Sequence, residues 1–118
     1  MSQIDQLRKG STPLLILSVL VDGKMYGYQI MGELAQRSEG YFTMTAALLY
    51  PALHQLESDG LVEAEWEDAQ GRRKRKYYTI TPQGRAALQE NRHAWQEFID
   101  HMIQTLQVPL AKVQECES

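Results

Sequence analysis

A chain of 118 residues has room for about one domain, at a typical 100–200 residues each. Apolar residues make up 43% and charged residues 23%, ordinary globular usage that excludes disordered and fibrous classes. Net charge is −3, yet five of the 12 basic residues are consecutive at Arg72-Arg73-Lys74-Arg75-Lys76, leaving seven basic against 15 acidic side chains elsewhere. Local charge is what a phosphate backbone meets, so this block keeps nucleic acid open as a partner.

Residues 1–11 are polar, end in Gly10-Ser11 and read as an N-terminal arm. Thr12-Pro13 is a helix opening, with Thr as N-cap and Pro at the first helical position, where its missing N–H does no harm. Leu14 to Val21 leave almost no polar face, which calls for burial on most sides, and Asp22-Gly23-Lys24 stops that helix. Ser18 breaks the apolar run, which is far short of the roughly 20 residues that cross a bilayer. No small-residue cleavage site follows it, so no secretory signal is expected. The lone cysteine, Cys116, permits no intrachain disulfide, and a cytoplasmic location is the expectation.

A second helix is predicted from about Tyr26 to Ser38, with Ile30, Met31, Leu34 and Ala35 on one face and Gly40 beyond its end. A third follows Thr45 as N-cap and runs to Asp59, with Gly60 as the left-handed residue after it and Leu61 supplying the apolar contact. At 100° per residue, Leu48, Leu49, Ala52 and Leu56 share one side, which belongs to a core. Ala47, Tyr50, Pro51, His54 and Ser58 share the other, a side suited to contact. Pro51 predicts a bend or loosened turn.

Period two then replaces period 3.6. Val62, Ala64 and Trp66 alternate with Glu63, Glu65 and Glu67 as a half-buried strand. Asp68-Ala69-Gln70-Gly71 supplies a turn, and Arg75 to Ile80 form the return strand of a β-hairpin with the basic block at its tip. Strand-like sequence abutting the block argues against a disordered, solvated run. Acidic residues across the hairpin partly neutralise their basic neighbours and leave the tip arginines free. Thr81-Pro82 repeats the helix-opening device. The final helix extends to about Val108, with Leu88, Trp95, Phe98, Met102 and Leu106 spaced as a heptad-like seam and Ile99 and Ile103 beside it. One small domain cannot cover such a stripe, so a homodimer through this helix is the economical answer.

Three helices, a β-hairpin and a long helix make the chain mainly α with a β-hairpin (α+β). That order is a winged helix-turn-helix over 12–81, a dimerisation helix over 82–108 and a C-terminal tail over 109–118. At this point the sequence resembles the PadR-type transcriptional regulators. The matching pieces are Leu15-Ile16-Leu17, Tyr26-Gly27-Tyr28-Gln29-Ile30, Leu49-Tyr50-Pro51-Ala52-Leu53, Leu56-Glu57 with Gly60-Leu61, Arg75-Lys76-Tyr77-Tyr78, Thr79-Ile80-Thr81 and Gly84. They run in order over about residues 12–88, and the single C-terminal helix is similar to the family's short branch. The resemblance implies a homodimeric repressor on a pseudo-palindromic operator, released by phenolic acids or planar drugs. It implies that the third helix is the recognition helix, that Tyr50 lies near the DNA backbone and that Arg73 and Arg75 are the wing's basic residues. Lys74 stands where the family often has proline and Arg72 where a second glycine is common. Trp95 corresponds by spacing to a tryptophan that lines a drug-binding pore at the dimer interface.

Independently of family, a recognition helix presents its N-terminal residues to base edges, which fits Thr43, Thr45 and Ala47. Arg72, Arg73, Lys74 and Arg75 fit phosphates or the minor groove. His54 fits either a phosphate donor or a solvated surface histidine. Trp95, Phe98, Ile99 and Met102 fit either a site for a small aromatic effector or a dimer core alone. Nothing points to catalysis or a cofactor. His54, His93 and His101 have no metal spacing with Cys116, no nucleophile motif or glycine-rich phosphate loop occurs, and His93–Glu97 and Glu97–His101 are i,i+4 surface pairs. A winged helix that binds protein or RNA without effector sensing is the alternative class.

Overall fold

The computed structural model describes residues 3–68 and 74–108. In chain order the elements are α1 (Gln3–Leu20), β1 (Met25–Tyr26), α2 (Gly27–Arg37), α3 (Ala46–Ser58), β2 (Val62–Asp68), β3 (Lys74–Ile80) and α4 (Pro82–Leu106). The three strands form one antiparallel sheet in the order β1-β3-β2. This is the α+β winged-helix arrangement with a long final helix.

The helix expected to open at Thr12-Pro13 opens at Gln3 instead, so the residues read as an arm are mostly helical and Pro13 lies inside α1. The interior proline leaves the carbonyl one turn back without its N–H partner. Burial outweighs that local cost: Thr12, Ile16, Leu17, Val19 and Leu20 are buried, and α1 packs against α2, α3, β3 and α4. A local N-terminus signal competes with a long, centrally packed helix, and packing wins.

The buried cluster joins α1 to Ile30 and Leu34 of α2, Leu49, Leu53 and Leu56 of α3, Val62, Tyr78 and Ile80 of the sheet, and Leu88 of α4. The inner side of α3 is the predicted one with Leu53 added, and the helix runs through Pro51 without interruption. Its end is a Schellman motif. The Leu61 N–H donates to the Leu56 carbonyl at 2.9 Å and the Gly60 N–H to the Glu57 carbonyl at 3.0 Å, with Gly60 at φ +77°.

Two features of the sheet depart from expectation. Tyr26, read as the start of the second helix, and Met25 before it form a short strand paired with Tyr77 and Tyr78. Trp66, expected on the half-buried side, is 63% exposed. The core ends near Ala64, and the strand beyond it projects past the helices as a wing. The register places Glu67 opposite Arg75 and Asp68 opposite Lys74. The Glu67 carboxylate, however, pairs with Lys24, which precedes β1 on the far side of β3, and that hydrogen bond holds the Lys24 ammonium above its usual pKa.

α4 opens as predicted. The Thr81 hydroxyl accepts from the Gly84 N–H at 2.9 Å and donates to the Gly60 carbonyl at 2.7 Å. Gly84 and Leu88 are buried against the body; beyond them every described residue is exposed except half-buried Trp95 and Ile103. The radius of gyration, 16.4 Å, exceeds the roughly 13 Å of a compact chain this long, as a projecting helix requires. No helix among the described residues is long and apolar enough to cross a membrane.

Candidate nucleic-acid interface

The outward side of α3, the start of α2 and the wing enclose an open cleft of about 950 Å³. Its helical wall carries Tyr50, His54 and Glu57; its wing wall carries Trp66, Lys74, Arg75, Lys76 and Tyr78; Tyr26, Gly27 and Tyr28 form its floor.

Each side chain is placed by a local device. The Ser38 hydroxyl donates to the Leu34 carbonyl at 2.7 Å and accepts the Phe42 N–H at 2.8 Å, which fixes the turn leading from α2 to Thr43. The extended Thr45 caps α3 through its carbonyl, which accepts from the Leu48 and Leu49 N–H groups, without a side-chain cap bond. Its hydroxyl therefore does not serve the helix end. Thr43, Thr45, Ala47, Tyr50 and His54 are all exposed, and Ala47, Tyr50 and His54 share one side of α3. α2 opens where the Tyr26 N–H donates to the Gln29 side chain at 3.0 Å. Gly27 then lies so near the Tyr50 ring that a Cβ there would stand 2.7 Å from Cζ and closer still to the hydroxyl. Only glycine at this helix start leaves Tyr50 its place.

The basic block divides into separate roles. The Arg75 guanidinium lies 4.6 Å from the centre of the Tyr26 ring, within cation–π range. The Lys76 ammonium lies 3.7 Å from a Glu57 carboxylate oxygen, 5.9 Å from the centre of the Trp66 ring and 5.7 Å from that of Tyr78. Burial, then the Glu57 charge, raise the Tyr78 hydroxyl above its usual pKa, so Tyr78 remains a neutral donor. Lys74 is exposed at the wing's described end, and Arg72 and Arg73 lie outside the described residues. Lys74, Arg75, Tyr50 and His54 are thus brought to one cleft, with Ala47 exposed on the same helix and Thr43 and Thr45 exposed on the segment that leads into it.

Sequence reasoning did not single out the floor residues Tyr26, Gly27 and Tyr28, or Trp66, Glu57, Lys76 and Tyr78, as part of this site. The Tyr-Gly-Tyr step at a helix start was the available signal for the floor. The remaining expected site is elsewhere, on α4. Trp95 meets Phe98 edge-on with ring centres 5.7 Å apart, and Phe98 (53%), Ile99, Met102 and Leu106 (60%) are exposed. None of them lines the cleft. Of the paired surface groups on α4, His93 sits 3.7 Å from Glu97, whereas His101 bonds the Glu97 backbone carbonyl at 2.7 Å.

Residues 16–90 match the model of the transcriptional regulator PadR-like family. The chain belongs to that family. The transcriptional regulator Rv3488 of Mycobacterium tuberculosis is 36% identical over 92 residues, which are 78% of this chain and 82% of that protein. A PadR family transcriptional regulator from Eggerthella lenta superposes with a TM-score of 0.78 at 33% identity, covering 90% of each chain. Bacillus subtilis PadR, crystallised in complex with operator DNA, shares the fold with a TM-score of 0.62 at 23% identity, over 67% of this chain and 45% of its own. Membership makes the chain a transcriptional regulator rather than an enzyme.

Proposed function

We propose that two copies of this chain bind a pseudo-palindromic duplex operator as a repressor acting in the cytoplasm. In this reading the N-terminal part of α3 lies in the major groove, with Thr43, Thr45 and Ala47 at base edges. The wing cations, Arg72 and Arg73 included, and Tyr50 and His54 lie along the backbone. The observation that carries the reading is the cleft itself: a helix side free of core contacts faces a wing bearing consecutive cations. A duplex meets both walls at once, the helix in its groove and the wing at its phosphates. An exposed apolar seam on α4 supplies the second half. Phe98, Ile99, Met102 and Leu106 lie along a helix with no core of its own beyond Leu88, and a second copy of α4 offers an equivalent seam. The same seam holds Trp95, a flat indole among adaptable side chains, as the platform for a planar aromatic effector. Such an effector releases DNA by favouring a wing spacing that the operator does not accept.

Fluorescence anisotropy against labelled duplexes tests the reading. The wild-type chain should lose duplex affinity steeply as salt rises. Arg75→Ala should weaken all duplexes alike and lower the slope by about one for each phosphate left unneutralised. Affinity indifferent to salt, or preference for a single-stranded RNA or a protein partner, would defeat it.

A further inference from the structure

The cleft is cationic and aromatic, yet it contains one acid. Among the described lining residues Glu57 is the only carboxylate, and it sits on the last turn of α3. A negative charge there opposes the helix macrodipole, whose C-terminal end favours cations, so the stability of α3 gives no reason for it. Its partner is Lys76, held 3.7 Å away and flanked by the Trp66 and Tyr78 rings. Both side chains of the pair are about one-third exposed (33% and 37%), so the pair borders solvent where a polyanion would approach. One of the five cations of the basic block is thereby neutralised within the cleft rather than offered to it.

We propose that Glu57 is an electrostatic brake on DNA binding: it ties the Lys76 ammonium to the cleft wall and places a negative charge beside the path of the phosphates. The brake rests on the duplex reading above, and it acts on the sequence-independent part of the affinity. Phosphate attraction is the same for every duplex. A full set of wing cations would therefore hold the protein on bulk DNA as firmly as it strengthens the operator complex. Removing one cation lowers both affinities by a similar factor and leaves the base-reading side of α3 to decide where the protein stays.

The test is salt-dependent anisotropy with the full chain and a labelled duplex of mixed sequence, between about 50 and 300 mM potassium chloride. Glu57→Gln frees Lys76 and removes the opposing charge. It should steepen the log–log salt slope by about one and raise affinity about eightfold at 0.1 M salt relative to 1 M, following the counterion-release relation. Glu57→Asp, which keeps the charge, should leave the slope at the wild-type value. Adding Lys76→Met to Glu57→Gln should return the slope to the wild-type value, because the freed cation is then gone. Glu57→Ser, with a shorter side chain, should reproduce the steeper slope, and thermal unfolding of each variant establishes that it folds. A wild-type chain that binds no duplex refutes the duplex reading itself. A wild-type chain that binds, with Glu57→Gln and Glu57→Ser unchanged in slope or weakened, refutes the brake alone.

Discussion

Adding one methyl group at Gly27 separates the fold from the function. The new Cβ would lie 2.7 Å from Tyr50 Cζ and 3.1 Å from Cε1, and nearer still to the hydroxyl. Contacts that short require Tyr50 to move. In a closed core, overpacking costs about 1–3 kcal/mol, but Tyr50 is 42% exposed and can turn toward solvent. Alanine also offsets part of the cost, since replacing glycine where the backbone permits stabilises by about 0.4–1 kcal/mol through the unfolded chain. Gly27 is not among the positive-φ residues, so the backbone does permit it. Net stability should change by less than about 1 kcal/mol, a shift of only a few degrees in Tm. DNA binding has no such escape. In the proposed complex, a hydrogen bond from the Tyr50 hydroxyl to a charged phosphate would contribute about 1.5–3 kcal/mol, so its loss should weaken duplex binding about tenfold or more. Anisotropy titrations of Gly27→Ala, Tyr50→Ala and the double variant, with thermal melts alongside, measure both effects. The two losses should not add, because both act through one side chain. Wild-type affinity in Gly27→Ala, or a full additional loss in the double variant, would refute the coupling.

Gly84 offers a contrasting case: a Cβ there would lie 2.7 Å from Ile80 Cγ1 and press on the Leu61 backbone carbonyl, which cannot swing away. Gly84→Ala should therefore destabilise by about 2–3 kcal/mol, visible as a lowered urea midpoint with little change in the affinity of the folded fraction for DNA. Phe98→Glu puts a carboxylate into the α4 seam and should shift sedimentation at micromolar concentration from dimer to monomer, at a cost of about 3 kcal/mol or more; an unchanged dimer would place the interface elsewhere. Trp66→Phe leaves Trp95 as the sole indole, so planar aromatic compounds should quench the remaining fluorescence and weaken duplex binding by the same factor by which duplex weakens their own binding, as linkage requires. Quenching without any change in DNA affinity would leave Trp95 as dimer core alone.

Periodicity and end signals carried much of the architecture, for identifiable reasons. The 3.6-residue spacing on α3 predicted its core side, and Gly60-Leu61 and Thr81-Pro82 marked helix ends because those residues satisfy specific orphan backbone groups. The same kind of signal misled at Thr12-Pro13. A good N-cap dipeptide says nothing of the tertiary contacts that bury Thr12 inside a helix already running from Gln3. β1 was invisible because two residues have no period, and its pairing with Tyr77 and Tyr78 depends on a strand some 50 positions away. Trp66 was misplaced for a related reason: alternation assigns a side of the strand but cannot show where the core beneath it stops. In the site, charge clustering marked the wing, and the angular position of Tyr50 and His54 marked the helix wall. The division of labour within the cations, with Arg75 over Tyr26 and Lys76 on Glu57, comes from long-range register that composition does not encode.

Hydroxyl-radical footprinting of a duplex enriched from a random pool by the full chain tests the central claim most directly. Two copies presenting α3 and the wing through a shared α4 seam should protect two half-sites on the same face, with centres about 10–10.5 base pairs, or a multiple of that, apart. One isolated protected site, or a pool from which no duplex is retained, would contradict it.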